Sequence, residues 1–86
     1  MKEFIFKIQD KNGLHARPAG LLAASAKSFS SQILVECAGK EADAKRLLSL
    51  MALGATTGKE LRFKITGDDE ERAYDAIKSI CYEKLG

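Results

Sequence analysis

The only histidine and the only proline of the chain lie in one short stretch, GLHARPA, which runs from Gly13 to Ala19. An arginine stands between them, so that His15, Arg17 and Pro18 are close neighbours in sequence. A neutral imidazole is a nucleophile whose ring nitrogen can carry a covalent group. A guanidinium group is planar, permanently charged and well matched to phosphate oxygens. The pair predicts a histidine that accepts a phosphoryl group beside a cation that stabilises it.

The backbone around His15 is predicted to add to this anion site. Gly13 permits a sharp turn, and the Ala- and Leu-rich residues that follow predict a helix with Pro18 in its first turn. A helix N-terminus leaves N–H groups unpaired and has a partial positive charge, which favours anions. Ala16 and Arg17 can offer such N–H groups, whereas Pro18 cannot. The plainer interpretation is a lone histidine that only begins a helix.

Other classes of chemistry lack the residues they need. The chain has no phosphate-binding glycine loop and no cluster of carboxylates, so we expect no metal and no cofactor. Cys37 and Cys81 match no metal-binding spacing and are expected to be reduced thiols in the core. Fourteen Lys and Arg against 12 Asp and Glu give a net charge of +2, which is too balanced for bulk nucleic-acid binding.

The elements that must position the histidine follow from periodicity in a chain of 86 residues, which we expect to form one domain over 1–86. Phe4, Phe6 and Ile8 recur at every second position with Glu3 and Lys7 on the opposite face, which predicts a first strand, and the AGK at 38–40 predicts a hairpin turn. Gly54 is expected to end a short second helix. The first helix is expected to bury a stripe that includes Phe29, and the last helix one that includes Ile80.

These elements give the order β-α-β-β-α-β-α. A hairpin within such an order favours an α/β sandwich of two layers, with a four-stranded, mainly antiparallel sheet and helices on one face. The N-terminus does not read as a signal peptide, and no apolar run approaches the roughly 20 residues of a membrane span. We therefore expect a cytoplasmic protein without membrane insertion.

The stretch GLHARPA resembles the active-site signature of HPr, the histidine-containing phosphocarrier family of the bacterial phosphoenolpyruvate:sugar phosphotransferase system. The resemblance covers essentially the whole chain, since the AGK hairpin, the SLMALG helix end and the KITGDDEERA passage fall in the corresponding places. It implies an open-faced β-sandwich of four antiparallel strands covered by three helices. It also implies that His15 accepts a phosphoryl group on Nδ1 from enzyme I and passes it to the IIA domain of a sugar permease. Such a carrier is a stoichiometric relay and not an enzyme.

The resemblance further implies a partner surface around the histidine and the second helix, with an apolar patch and a basic rim that steers acidic partners. Its candidate residues are Gly20, Leu21, Leu47, Leu48 and Met51, with Lys27, Lys45 and Arg46 as the rim. Leu47 and Met51 are open to a second interpretation as core residues, which is the one we expect for Leu50 and Leu53. One exposed face that serves successive partners favours a monomer.

One position departs from the family pattern. Gram-positive members have a serine at the start of the second helix that a dedicated kinase phosphorylates, and here that position is Arg46. Arginine cannot accept this modification, so we expect carrier chemistry without serine-kinase regulation.

Two alternative functions stay open on the sequence. The first is an HPr-like regulatory module that binds partners through the same surface without a major role in sugar uptake. Intact His15 and Arg17 argue against a module that has lost the chemistry. The second, an RNA-binding α/β domain, is disfavoured because the outward strand residues lack the paired aromatics that stack on bases.

Overall fold

The computed structural model describes residues 1–86 and confirms the predicted element order. The elements are β1 (Lys2–Lys7), α1 (Ala16–Lys27), β2 (Gln32–Cys37), β3 (Lys40–Asp43), α2 (Leu47–Met51), β4 (Glu60–Thr66) and α3 (Glu70–Lys84).

The four strands form one antiparallel sheet in the order β1-β4-β2-β3. Phe63 of β4 lies opposite Phe4 on one side and Val35 of β2 on the other, and Val35 lies opposite Ala42 of β3. Because side chains alternate along a strand, this register brings apolar residues from all four strands to one face. The predicted fold class is confirmed.

The three helices cover that apolar face and leave the other face open. The shared core includes Leu22 of α1, Leu50 of α2 and Ile77 of α3, all fully buried with Phe63. Two of the predicted helix stripes need correction. Ile80 is only partly buried because it lies at the margin of the α3 stripe, and Phe29 packs on the core from beyond the end of α1.

Two predicted turns are confirmed by backbone conformation. Ala38 and Gly39 join β2 to β3 with φ values of 51° and 85°, as the tight turn of a two-residue hairpin requires. Gly54 follows α2 with a φ of 64°, the left-handed conformation that ends a helix and suits glycine.

Two long-range contacts fix the ends of α3. At its N-terminus, Asp69 accepts hydrogen bonds from the Ser31 hydroxyl and from the N–H groups of Ser30 and Ser31. The Ser31 hydroxyl, followed by these amides, lowers the pKa of Asp69 from 3.8 to about 2. At its C-terminus, the Leu85 carbonyl accepts from the N–H groups of Gln9 and Asp10 at 2.8 and 3.1 Å. The end of α3 is thereby bound to the loop that leads to His15.

Candidate functional site

His15 occupies the position immediately before α1. Its backbone is extended, with φ −96° and ψ −175°, and its carbonyl accepts the N–H of Ala19 at 3.0 Å. The imidazole makes no capping hydrogen bond to the helix, and the residue is only half-buried. Its side chain is therefore not used to cap α1, which weakens the plainer interpretation of a histidine that only begins a helix.

The first turn of α1 leaves donors and a cation free beside the imidazole. The N–H groups of Ala16 and Arg17 have no hydrogen-bond partner within the chain, and Pro18 is the third helical residue, as predicted for the first turn. The Arg17 side chain is exposed and makes no ion pair. Two unpaired N–H groups and a free guanidinium are the donors that a phosphoryl group needs.

The turn before His15 is held by the segment that follows α2. Gly13 is buried with a φ of 65°, and a Cβ there would lie 2.7 Å from the carbonyl oxygen of Ala55. The N–H of Leu14 donates to that same oxygen at 2.9 Å. The Thr57 hydroxyl donates to the Asp10 carbonyl at 2.7 Å. The position of the imidazole therefore depends on residues that are distant in sequence.

An open depression of about 310 Å³ lies beside this turn, with His15, Arg17 and Pro18 on its wall. The rest of the wall is polar and was not predicted as part of the site: Asp10, Asn12, Glu83 and Lys84. Asp10 and Asn12 belong to the sequence DKNG, which is typical of a turn and lies just before the histidine. That pattern predicts a turn but does not indicate that these side chains line the site. No local pattern indicates that the end of α3 reaches the same place.

The predicted partner residues lie on α1, on α2 and immediately before α2. We call the exposed set Leu21, Leu47, Leu48 and Met51 the apolar patch; the exposed fractions are 41, 39, 80 and 41%. Gly20 adds an open position, since a Cβ there would meet nothing within 4 Å. Lys27 and Arg46 are exposed and Lys45 is half-buried, and Arg46 is the residue immediately before α2. Leu50 and Leu53, at 0 and 5%, are core residues as expected.

Other features of the molecule carry no comparable chemistry. A larger depression of about 580 Å³ lies on the open face of the sheet, and its wall contains no histidine. The structure has no group of three or more His, Cys, Asp or Glu side chains arranged to hold a metal ion. None of its helices has the length and apolar character that crossing a bilayer requires. Cys37 and Cys81 are both buried and unpaired.

An open-faced α/β sandwich with one histidine at the start of its first helix, beside free N–H groups and an arginine, has the architecture of a histidine phosphocarrier. Comparison with known proteins agrees with this class. The family model described as the phosphorylation site of the HPr component of the phosphotransferase system matches residues 2–83. The phosphocarrier protein HPr of Mycoplasma genitalium is 44% identical over 98% of this chain and 96% of its own length.

Solved structures give the same result. A histidine-containing phosphocarrier protein from Mycoplasma superimposes with a TM-score of 0.95 at 37% identity, covering 98% of this chain and 96% of that one. HPr from Thermoanaerobacter tengcongensis gives a TM-score of 0.92 at 43% identity, covering 100% of this chain and 97% of that one. A second structure of that protein is a dimer. The chain belongs to the HPr family, and it is a phosphoryl carrier of the phosphotransferase system.

Proposed function

We propose that His15 is the residue that carries the phosphoryl group, on Nδ1. It receives the group from phospho-enzyme I and passes it to the IIA domains of sugar permeases. The chain acts in the cytoplasm as one carrier domain over residues 1–86. It is modified and restored in each cycle, so it is a stoichiometric relay and not an enzyme.

The observation that carries this proposal is the pair of unpaired N–H groups, on Ala16 and Arg17, beside an imidazole that has no structural hydrogen bond to the helix. In the transfer, a lone pair on the His15 ring forms the new N–P bond while the bond from phosphorus to the donor atom of enzyme I breaks. The other ring nitrogen keeps its proton throughout. The free N–H groups and Arg17 stabilise the negative charge of the transferred group, which is the main requirement in phosphoryl transfer.

Partner docking is assigned to the apolar patch with Gly20, surrounded by Lys27, Lys45 and Arg46. Leu48 supports this assignment, because a leucine that is 80% exposed on a short helix contributes little to the core. Basic residues at the rim accelerate association with acidic surfaces more than they tighten binding. Since one face serves both donor and acceptor, the carrier is proposed to work as a monomer.

The direct test is phosphorylation by phosphoenolpyruvate and enzyme I, followed by intact mass. We expect the added mass of one phosphoryl group, labile in acid as a phosphohistidine is, and no addition to His15→Ala. Circular dichroism of His15→Ala shows whether the variant is folded. Phosphorylation of a folded His15→Ala to the same extent as the unaltered chain would refute the assignment of His15.

A further inference from the structure

We propose that Lys84 is a second phosphoryl-binding cation of the site, a role that rests on the carrier function proposed above. Lys84 is the last residue of α3 and lies on the wall of the depression that also contains His15 and Arg17. It is exposed and makes no ion pair. Its ammonium group is therefore free to face an anion on the imidazole.

The backbone that carries Lys84 is held firmly beside the histidine loop. Leu85 is fully buried, and its N–H donates to the Cys81 carbonyl at 2.9 Å. Its carbonyl accepts from both Gln9 and Asp10, the residues that begin the loop. The backbone of Lys84 is thus held by α3 on one side and by the buried, hydrogen-bonded Leu85 on the other. Only its side chain is free to move.

The charges on the wall of the depression favour a second cation beside Arg17. Arg17 and Lys84 are matched there by two carboxylates, Asp10 and Glu83, so the wall is close to neutral before phosphorylation. Transfer of the phosphoryl group as PO3⁻ to a neutral imidazole adds one net negative charge, which the phosphoryl oxygens present to this wall. Without Lys84, this anion would face two carboxylates and one cation. With it, the attraction of the cations offsets the repulsion of the acids.

Lys84 also complements the dipole at the C-terminus of α3, which is a structural role. The two roles have different consequences. Loss of a dipole contact lowers stability but leaves the phosphorylated and unphosphorylated forms equally affected. Loss of a phosphoryl-binding cation destabilises the phosphorylated form alone and therefore shifts the equilibrium of the transfer.

The test measures the equilibrium constant for phosphoryl transfer from phosphoenolpyruvate to the carrier, with catalytic enzyme I and a fixed ratio of phosphoenolpyruvate to pyruvate. Because a catalyst does not shift an equilibrium, this constant is independent of how tightly enzyme I docks. We expect Lys84→Gln to lower it about fivefold at low ionic strength. The effect should shrink with added salt, and Lys84→Arg should restore most of it.

The matched control is Lys64→Gln, which removes the same charge from the open face of the sheet, where Lys64 lies opposite Glu3 and Leu34. It should leave the equilibrium constant unchanged. Equal constants for Lys84→Gln and Lys64→Gln, in a chain that is phosphorylated normally, would overturn the role of Lys84 alone. Absence of phosphorylation in the unaltered chain would overturn the carrier proposal and the lysine role with it.

Discussion

Replacing Gly13 by alanine should destabilise the protein and slow phosphorylation of His15, whereas the same change at Gly54 should destabilise it less and leave phosphorylation unchanged. Both glycines have left-handed backbones, with φ values of 65° and 64°. Their surroundings differ. A Cβ on Gly54 would meet nothing within 4 Å, but one on Gly13 would lie 2.7 Å from the Ala55 oxygen and 3.0 Å from the Thr56 Cα.

The difference in surroundings sets the expected magnitudes. An alanine in the left-handed region costs roughly 1–2 kcal/mol, and this is the whole expected cost of Gly54→Ala. In Gly13→Ala the Ala55 oxygen must also move away, which breaks or weakens its 2.9 Å hydrogen bond from Leu14. A buried donor left without a partner costs about 1–3 kcal/mol more, so Gly13→Ala should cost about 2–5 kcal/mol in total.

Urea unfolding and calorimetry measure the first effect. For a domain of this size each kcal/mol lowers Tm by about 4–8 °C, so an extra cost of about 1 kcal/mol or more should separate the two variants by at least about 4 °C. The second effect is the rate of phosphorylation by enzyme I, measured well below both transitions. A displaced turn moves His15 relative to Arg17. Because reacting groups must be well placed, phosphorylation of Gly13→Ala should be slower than that of the unaltered chain on the order of tenfold.

Equal stabilities for Gly13→Ala and Gly54→Ala would refute this reasoning, since backbone strain alone would then account for both. A less stable Gly13→Ala that is phosphorylated at the normal rate would show that the contact with Ala55 supports the fold without positioning the histidine. Gly54→Ala should be phosphorylated normally in either case.

Three further variants test the contacts of Asp69 at the start of α3, the apolar patch and the core. Asp69→Asn should lower the free energy of unfolding at neutral pH, because a carboxyl whose pKa is lowered to about 2 stabilises the fold only when it is ionised. The stabilisation is complete above the ordinary pKa of 3.8 and is lost as pH falls toward 2, so urea unfolding of the two chains should converge across that interval. Leu48→Asp should raise the KM of enzyme I for the carrier about tenfold with little change in Tm. By contrast, Leu50→Ala should cost about 2–5 kcal/mol of stability, and a Leu48→Asp variant with normal KM would remove Leu48 from the docking surface.

Most of the fold was predictable because local chemistry determines it. Alternation in β1 and the AGK turn each act over a few residues, and the structure confirms both. The buried faces of the helices were predicted less accurately than the strand and the turn. Ile80 lies at the edge of its stripe, where tertiary packing and not helical period decides how much of the side chain is covered.

The site was predictable only where its residues are neighbours in sequence. His15, Arg17 and Pro18 meet because they share one turn. Glu83 and Lys84 line the same depression because the carbonyl of the buried Leu85 accepts hydrogen bonds from the N–H groups of Gln9 and Asp10. That contact joins the two ends of the chain and has no periodicity or motif, so only the folded structure reveals it.

The proposed phosphoryl site and the proposed docking surface are built from different residues. The depression beside His15 is lined by the first turn of α1, the loop before it and the end of α3, whereas the apolar patch lies on α1 and α2. A carrier must discharge to partners different from the one that charged it, so the free energy of its phosphohistidine should not depend on which partner is docked. The N–H donors and cations proposed for this site belong to the carrier itself, which favours such independence. It follows that changes in the apolar patch should alter rates, and that changes in the depression should alter the equilibrium.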